Sequence, residues 1–291
     1  MAIIIGASGF IGRHLYNYFS EKSAETIGTY CNSSNTNSNL RYFDLRKPNL
    51  KNLESDLKKH KHVFICSAIT RPDECKIKEK ESREINVTGT KDLILQCFDN
   101  NLAPIFFSSE YVFNGENGNY KESDKKTPNT VYGCQKAEIE DFLLSTRNSR
   151  CLIIRLGHIF GLEKNDKTII TSIAEQLIAG KTLNCAKDQI FNSTYVGDLT
   201  ELLDISLQKN LNGLYNLVTP ETHSRYELAS IIKSELDIKS GVILPCSIKD
   251  FKFADNRPLN MSLDSGKIIS ETGFNFPSLK SHLKKLKEVY K

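Results

Sequence analysis

What this 291-residue chain lacks removes several functions at once. Its eight cysteines include no Cys-x2-Cys pair, and its six histidines (His14, His60, His62, His158, His223 and His282) show no metal-ligand spacing. No metal site is therefore expected. No basic run is interleaved with aromatics, and the net charge of +4 comes largely from dispersed lysines, so nucleic acid is not an expected partner. The densest lysine group, Lys280, Lys284, Lys285 and Lys287, lies opposite Leu279, Leu283, Leu286 and Tyr290 and reads as the solvated face of a last helix. No apolar run approaches the length of a membrane span, and no leader-like segment precedes the first strand. The expectation is a cytoplasmic protein with no membrane partner and reduced thiols, of which Cys66, Cys97, Cys151 and Cys185 read as small core residues. No internal repeat and no long linker divides the chain.

What is present is an alternation. Short apolar runs at 2–5, 26–30, 40–43, 62–67, 103–108 and 151–156 are separated by amphipathic stretches at 11–22, 50–59, 82–99 and 132–146. That rhythm predicts an α/β fold, a Rossmann-type doubly wound parallel sheet covered on both faces. Beyond residue 156 the rhythm changes. Helices are expected at 168–179, 196–208, 225–236 and 278–290, with strand-like pieces at 190–195, 214–218 and 241–244. We therefore expect a dinucleotide-binding domain over 1–160 and a smaller mixed α/β substrate-binding domain over 161–291. Residues 190–220 are expected to return partly to the first domain.

Directly after the apolar run Ala2–Ile5 stands Gly6-Ala7-Ser8-Gly9-Phe10-Ile11-Gly12. A glycine turn between an opening strand and a helix cradles a pyrophosphate on the helix N-terminus, so Gly6, Ser8, Gly9, Phe10, Ile11 and Gly12 are candidate cofactor-binding residues. Asp44, after the 40–43 run, is placed either to accept from an adenine amino group or to start a turn; Leu45, Ser67 and Ala68 complete the expected adenosine side. An NAD-specific site often carries an acid at the end of the second strand. Here the residues are Tyr30-Cys31-Asn32-Ser33-Ser34. Without that acid a 2′-phosphate meets no repulsion, and Asn32 and Ser33 offer it donors, so NADP(H) is favoured over NAD(H). Arg13 and Arg41 are either phosphate partners or surface charges.

The second pattern is Tyr132-Gly133-Cys134-Gln135-Lys136, preceded by Ser108-Ser109 at a strand end. Tyr132 and Lys136 share one helix face, so the ammonium is expected to lower the phenol's pKa and ready it for proton transfer. Ser109 can polarise a carbonyl, which makes Ser109, Tyr132 and Lys136 the candidate catalytic trio. Glu138 and Glu140 are expected on the exposed face of the same helix.

Together with Phe43-Asp44-Leu45, Cys66-Ser67-Ala68, Asn86-Val87-Thr88-Gly89-Thr90, Arg155-Leu156-Gly157, Phe160-Gly161, Tyr195-Val196-x-Asp198 and Arg257-Pro258-Leu259-Asn260, these motifs resemble the extended short-chain dehydrogenase/reductases that act on nucleotide sugars. Within that family Ser108-Ser109-Glu110-Tyr111-Val112-Phe113-Asn114-Gly115 is similar to the Ser-Thr-Asp-Tyr-Val-Phe-Asp-Gly of the dTDP-4-dehydrorhamnose reductases. The chain departs from them with Ser109 for Thr, Glu110 for Asp and Ile5 for Thr. The resemblance implies reduction of a keto group on a nucleotide-linked 4-keto-6-deoxy sugar, in cell-surface polysaccharide precursor synthesis. It also implies a nucleoside-diphosphate sugar as partner, substrate contacts from Thr70, Glu110, Tyr111, Arg257 and Asn260, and a homodimer. Arg257, and more weakly Arg225, is either a diphosphate ligand or a surface ion pair. Related 4,6-dehydratases carry two adjacent carboxylic side chains where this chain has Glu110-Tyr111, which argues against dehydration. A nucleotide-sugar 4-epimerase, or a cofactor-binding regulatory subunit like that of methionine adenosyltransferase, would use the same frame.

Overall fold

The computed structural model describes residues 1–32, 39–54, 56–146 and 150–291. Its first half runs β1 (Ala2–Ile5), α1 (Phe10–Lys22), β2 (Ile27–Tyr30), β3 (Arg41–Tyr42), β4 (His62–Ile65), α2 (Pro72–Ile77), α3 (Glu79–Arg83), α4 (Thr90–Asp99), β5 (Ala103–Ser109), α5 (Val131–Ser145) and β6 (Leu152–Leu156). Its second half runs β7 (His158–Phe160), α6 (Ile169–Ile178), β8 (Thr182–Ala186), β9 (Ile190–Tyr195), α7 (Val196–Gln208), β10 (Gly213–Asn216), β11 (Thr222–Ser224), α8 (Arg225–Glu235), β12 (Val242–Cys246), α9 (Gly266–Thr272) and α10 (Leu279–Tyr290).

Seven strands form one parallel sheet in the order β3-β2-β1-β4-β5-β6-β10. This is the doubly wound α/β architecture that the alternation predicts. Strand residues of one parity, Ile3, Ile5, Val63, Ile65, Phe106 and Ile153, pack against Leu93 and Ile94 of α4 and Ile139 and Leu143 of α5. Those of the other parity, Ile4, Phe64, Ile105, Phe107 and Ile154, pack against Leu15 and Phe19 of α1 and Leu199, Leu202 and Leu203 of α7. Burial on both faces is why β1 is apolar at every position. The order reverses between β1 and β4, and a sheet of this kind opens its crevice above the strand ends at that point.

A smaller unit packs separately. The sheets β11-β9-β7 and β12-β8 surround a core of Phe160, Ile173, Leu177, Phe191, Leu228, Ile232, Leu283 and Leu286. The chain does not stay in it: α7 covers the large sheet, and β10 pairs with β6 at that sheet's edge.

The structure departs locally from these expectations: the helix expected at 82–99 is divided into α3, a π-helical turn Glu84–Gly89 and α4, and β7, β8, β11, α2 and α9 have no expected counterpart. The stretch 50–59 is not a helix but holds two 3-10 turns, Leu50–Asn52 and Leu57–Lys59. Asn49 and Asp56 accept from the amides of Lys51 and Lys58, and such local bonds compete with helix propagation. Strand β8 was missing from the sequence reading; its outward residues are polar and only Cys185 and Ala186 are buried, so the apolar signal is short. No helix among the described residues is long and apolar enough to cross a membrane.

Candidate active site

The glycine turn divides its work. Gly6 has φ +90° and donates its amide to Thr29 Oγ1 at 2.9 Å; a Cβ there would lie 2.5 Å from Ser67 Oγ. A Cβ on Gly12 would lie 2.1 Å from the Gly6 carbonyl oxygen, so Gly12 lets α1 close onto the turn. A Cβ on Gly9 would meet only the Gly6 oxygen, at 3.4 Å. Gly9 instead faces a cleft of about 490 Å³, which Phe10, Ile11 and Gly12 also line. As N-cap of α1 it has no side-chain acceptor, and no acid stands in the first turn. The first amides of α1 and its positive dipole end are therefore open to an anion.

The adenosine-side candidates diverge. Ala68 lines the cleft, and Ser67 lies beside Gly6. Asp44 is gripped by the Arg46 fork (2.8–3.1 Å) and accepts the Arg46 amide at 2.9 Å, which holds its carboxyl below the usual range. It forms a turn, as one of the two sequence readings expects. Leu45 is a core residue whose carbonyl abuts Gly89. Asn32 follows β2, exposed, accepting from Cys31 Sγ; Ser33 lies outside the described residues. Arg13 pairs with Glu163 at 3.0 Å, and Arg41 approaches Glu54 at 3.8 Å.

At the other end of the cleft Ser109, Tyr132 and Lys136 converge. Ser109 ends β5; its hydroxyl accepts from the Tyr111 amide at 3.3 Å and bonds the Tyr132 phenol. Tyr132 stands in the first turn of α5, whose start is fixed by Thr130 Oγ1 accepting from the Gly133 amide at 3.0 Å. Gly133 is a glycine for a reason. Its Cβ would lie 2.1 Å from the Tyr111 carbonyl, so α5 could not otherwise press against the turn after β5. One helical turn later Lys136 Nζ donates to the Phe107 carbonyl at 2.7 Å.

The electrostatics correct one expectation. Tyr132 has its pKa raised, not lowered, because burial opposes the phenolate more than the Ser109 bond supports it. Lys136 Nζ lies 5.7 Å from the Tyr132 ring centroid and is spent on a carbonyl. Burial brings Lys136 itself down to about 8. The site thus holds a neutral phenol, a proton donor, beside an ammonium that is still largely charged at neutral pH.

Glu140 is the second correction. Glu138 is part-exposed and paired with Arg83 and Lys91, but Glu140 is fully buried. It lies four residues beyond Lys136 on the same inward face, where Arg155 of β6 forks onto it at 2.8 and 2.9 Å, Ser108 Oγ donates at 2.5 Å and Lys126 approaches at 3.3 Å. The sequence did signal this pair: Arg155 is a lone cation in an apolar strand, and such a residue needs a buried partner.

On the substrate side Thr70, Glu110 and Tyr111 line the cleft. Glu110 is buried, its Oε2 has no hydrogen-bond partner, and burial pushes its pKa well up. Its Oε1 is 3.9 Å from Nε2 of His158, a cleft residue without a role in the sequence reading, whose pKa burial lowers to about 4. Burial raises the one pKa and lowers the other, which favours the uncharged form of each and works against an ion pair. Burial raises Tyr111 to about 12. Arg257 is committed elsewhere, to Asp73 at 2.7 Å and to the Phe253 face at 4.2 Å. Asn260 is also committed: its Oδ1 accepts from Ser262, and its amide packs on Gly118.

The sequence profile of the RmlD substrate-binding domain matches residues 1–291. The chain belongs to that family. Three similar proteins show how widely its frame is used. Methionine adenosyltransferase 2 subunit beta of Xenopus tropicalis is 27% identical over 275 residues, 92% of this chain and 81% of the relative. A dTDP-4-dehydrorhamnose reductase from Bacillus anthracis, solved with NADP, superposes with a TM-score of 0.85 at 21% identity, covering 98% of this chain and 97% of the other. A UDP-glucose 4-epimerase from Thermus thermophilus, solved with NAD, gives 0.82 at 18% identity, covering 100% and 99%. A reductase, an epimerase and a subunit share this RmlD-like fold, so the choice among them falls to side chains.

Proposed function

We propose that this RmlD-family chain is an oxidoreductase that reduces the keto group of a nucleotide-linked 4-keto-6-deoxy sugar, with NADP(H) preferred to NAD(H). The observation that carries the reading is the cleft itself, with an open glycine turn at one end and Ser109, Tyr132 and Lys136 at the other. The residues fit a dinucleotide: Gly9 lines the cleft without a side chain, and the first turn of α1 has no acid to satisfy it. Gly6, Gly9 and Gly12 would hold its pyrophosphate, and Lys136 its ribose. When bound, the cofactor supplies a hydride.

This chain's own residues do the rest. Ser109 donates to the carbonyl oxygen and draws charge onto it. Tyr132, kept neutral by burial, delivers the proton to that oxygen, and the Lys136 ammonium stabilises the phenolate left behind. Burial favours the protonated form of Glu110, and in that form it can donate to a sugar oxygen. One carboxyl and no second acid stand here, which suits reduction of a ketone already present rather than its creation by dehydration. In this reading residues 1–160 serve the cofactor and 161–291 the sugar nucleotide, with 190–220 shared between them.

The test follows reduced-cofactor absorbance with a panel of nucleotide-linked 4-keto-6-deoxy sugars. Stoichiometric oxidation is expected, and none with the parent nucleotide hexoses. Sugar interconversion without net oxidation would make the chain an epimerase. The subunit-beta relative supports a second reading, a cofactor-binding regulatory subunit; tight NADPH binding with no turnover on any sugar would establish it.

A further inference from the structure

Three consecutive residues of β5 each hold α5. The Phe107 carbonyl accepts from Lys136 Nζ at 2.7 Å, Ser108 Oγ donates to Glu140 Oε1 at 2.5 Å, and the Ser109 hydroxyl bonds the Tyr132 phenol. Tyr132, Lys136 and Glu140 follow one another at four-residue steps, so they share the face of α5 that meets the strand. The bonds from Phe107 and Ser109 end on groups of the trio. In the reading above, Ser109 and Tyr132 turn to a carbonyl oxygen when the sugar enters, and Lys136 turns to the cofactor ribose. Neither bond can then fix the helix during the reaction. The bond between Ser108 and Glu140 uses no reacting atom.

That bond is held from several sides. Ser108 has the strand parity of Phe106, which packs against α5, and it is buried. Its partner in register on β6 is Arg155, whose Nε donates to the same Glu140 oxygen and whose Nη2 donates to the other. Lys126, in the loop before α5, approaches Oε2 at 3.3 Å. Both carboxylate oxygens are thus fixed in a place shut off from water. Replacing a buried ion pair by apolar residues of like volume is often neutral for stability or better, so stability alone does not account for this one. Apolar contacts are non-directional, whereas a hydroxyl and a guanidinium fork hold a carboxylate at one position along the strand.

We propose that Glu140 is a positioning residue: through Ser108 and Arg155 it sets the height of α5 on β5 and β6, and with it the spacing between Ser109 and Tyr132 across which a carbonyl oxygen is gripped. Glu140 itself does not line the cleft. The inference rests on the reductase reading above.

The experiment measures kcat and KM for a nucleotide-linked 4-keto-6-deoxy sugar, calorimetric NADPH affinity and melting temperature. It compares the unmodified protein with Ser108→Ala, Glu140→Asp and the double variant. Glu140→Asp keeps the charge opposite Arg155 but draws it back by one methylene, away from Ser108. Each single variant is expected to lower kcat about 10- to 100-fold, as a misplacement on the order of 1 Å does, with the sugar KM and NADPH affinity within about twofold of the unmodified values. The double variant should lose no more than the worse single one, because both changes break the same bond. A merely structural pair would lower the melting temperature and leave kcat of the folded protein unchanged. Unchanged kcat in either single variant, or losses that add in the double variant, would overturn the assignment while leaving the reductase reading intact. Ser108 lines the cleft, so a raised sugar KM in Ser108→Ala with no loss in Glu140→Asp would make it a ligand contact and overturn the assignment as well. If Glu140→Asp does not fold, Ser108→Ala, which leaves no charge unpaired, decides alone by the same split between kcat and KM. No turnover of any such sugar by the unmodified protein would overturn both.

Discussion

The two ends of the cleft are built from different materials. At the glycine turn the recognition surface is backbone: Gly6 and Gly12 matter for where a Cβ cannot be, and Gly9 for adding no side chain to the cleft it lines. At the end that holds Ser109, Tyr132 and Lys136 it is side chain: Glu110 and His158 in the cleft wall, and Arg257 paired with Asp73, matter for which partner each has or lacks. Backbone-built sites tolerate little change in residue size but much change in neighbours. Side-chain-built sites depend on which partner each charge has, as Arg257 is taken up by Asp73.

The sharpest break of the comparison lies in the chemistry of the side-chain end. Tyr132→Phe should lower turnover on the order of 10²–10⁴-fold while calorimetric NADPH affinity stays near its unmodified value, because the hydroxyl acts in the transition state. Near-normal turnover would remove Tyr132 from the mechanism.

Next in size is the support behind the trio. Glu140→Gln leaves the Arg155 guanidinium, 1% exposed, without its counter-charge. Stability should fall by about 3–5 kcal/mol in denaturant titration, and a loss below about 1 kcal/mol would show that the pair is dispensable.

Within the glycine turn, Gly9→Val should abolish cofactor binding with little change in melting temperature, since only the cleft receives the side chain. Gly12→Ala should lower the melting temperature as well, because its Cβ meets the Gly6 carbonyl. Equal behaviour of the two would erase the distinction between cradle and packing.

Lys136 predicts opposite pH trends for activity and stability. With its pKa near 8, activity that needs the ammonium should decline as pH rises through about 8. The same group is protonated up to about 10.5 in the unfolded chain, so between these values the unfolded state binds more protons and this group's contribution to stability rises with pH. Rate profiles and denaturant midpoints across pH 7–10 would show whether both hold. The smallest effect belongs to the adenosine side: Asn32→Asp should shift the NADPH-to-NADH affinity ratio about 5- to 10-fold toward NADH, by repulsion of the 2′-phosphate.

Most of the sheet could be read from the chain because burial on both faces makes β1, β4, β5 and β6 apolar runs. The trio and the glycine turn were legible because their spacing matches a helix face and a strand-to-helix turn. The paired state of each charge was not. Asp44 and Arg46, Asp73 and Arg257, and Glu140 and Arg155 are 2, 184 and 15 residues apart in sequence, and only the fold shows which of them are already spent. The direction of the Tyr132 shift was hidden for the same reason, since desolvation depends on everything packed around the ring.

The path of the chain between β9 and β11 constrains how this protein can be recombined with its relatives. Because α7 roofs the large sheet and β10 forms its edge, a cassette running from residue 161 to the end would carry off two pieces of the large sheet's scaffold and leave Glu110, Tyr111 and His158 of the cleft behind. A chimaera that transplants the smaller unit must be spliced in two segments, on either side of 196–216, and its success would depend on the seams at Tyr195 and Asn216 rather than on the number of substitutions made between them.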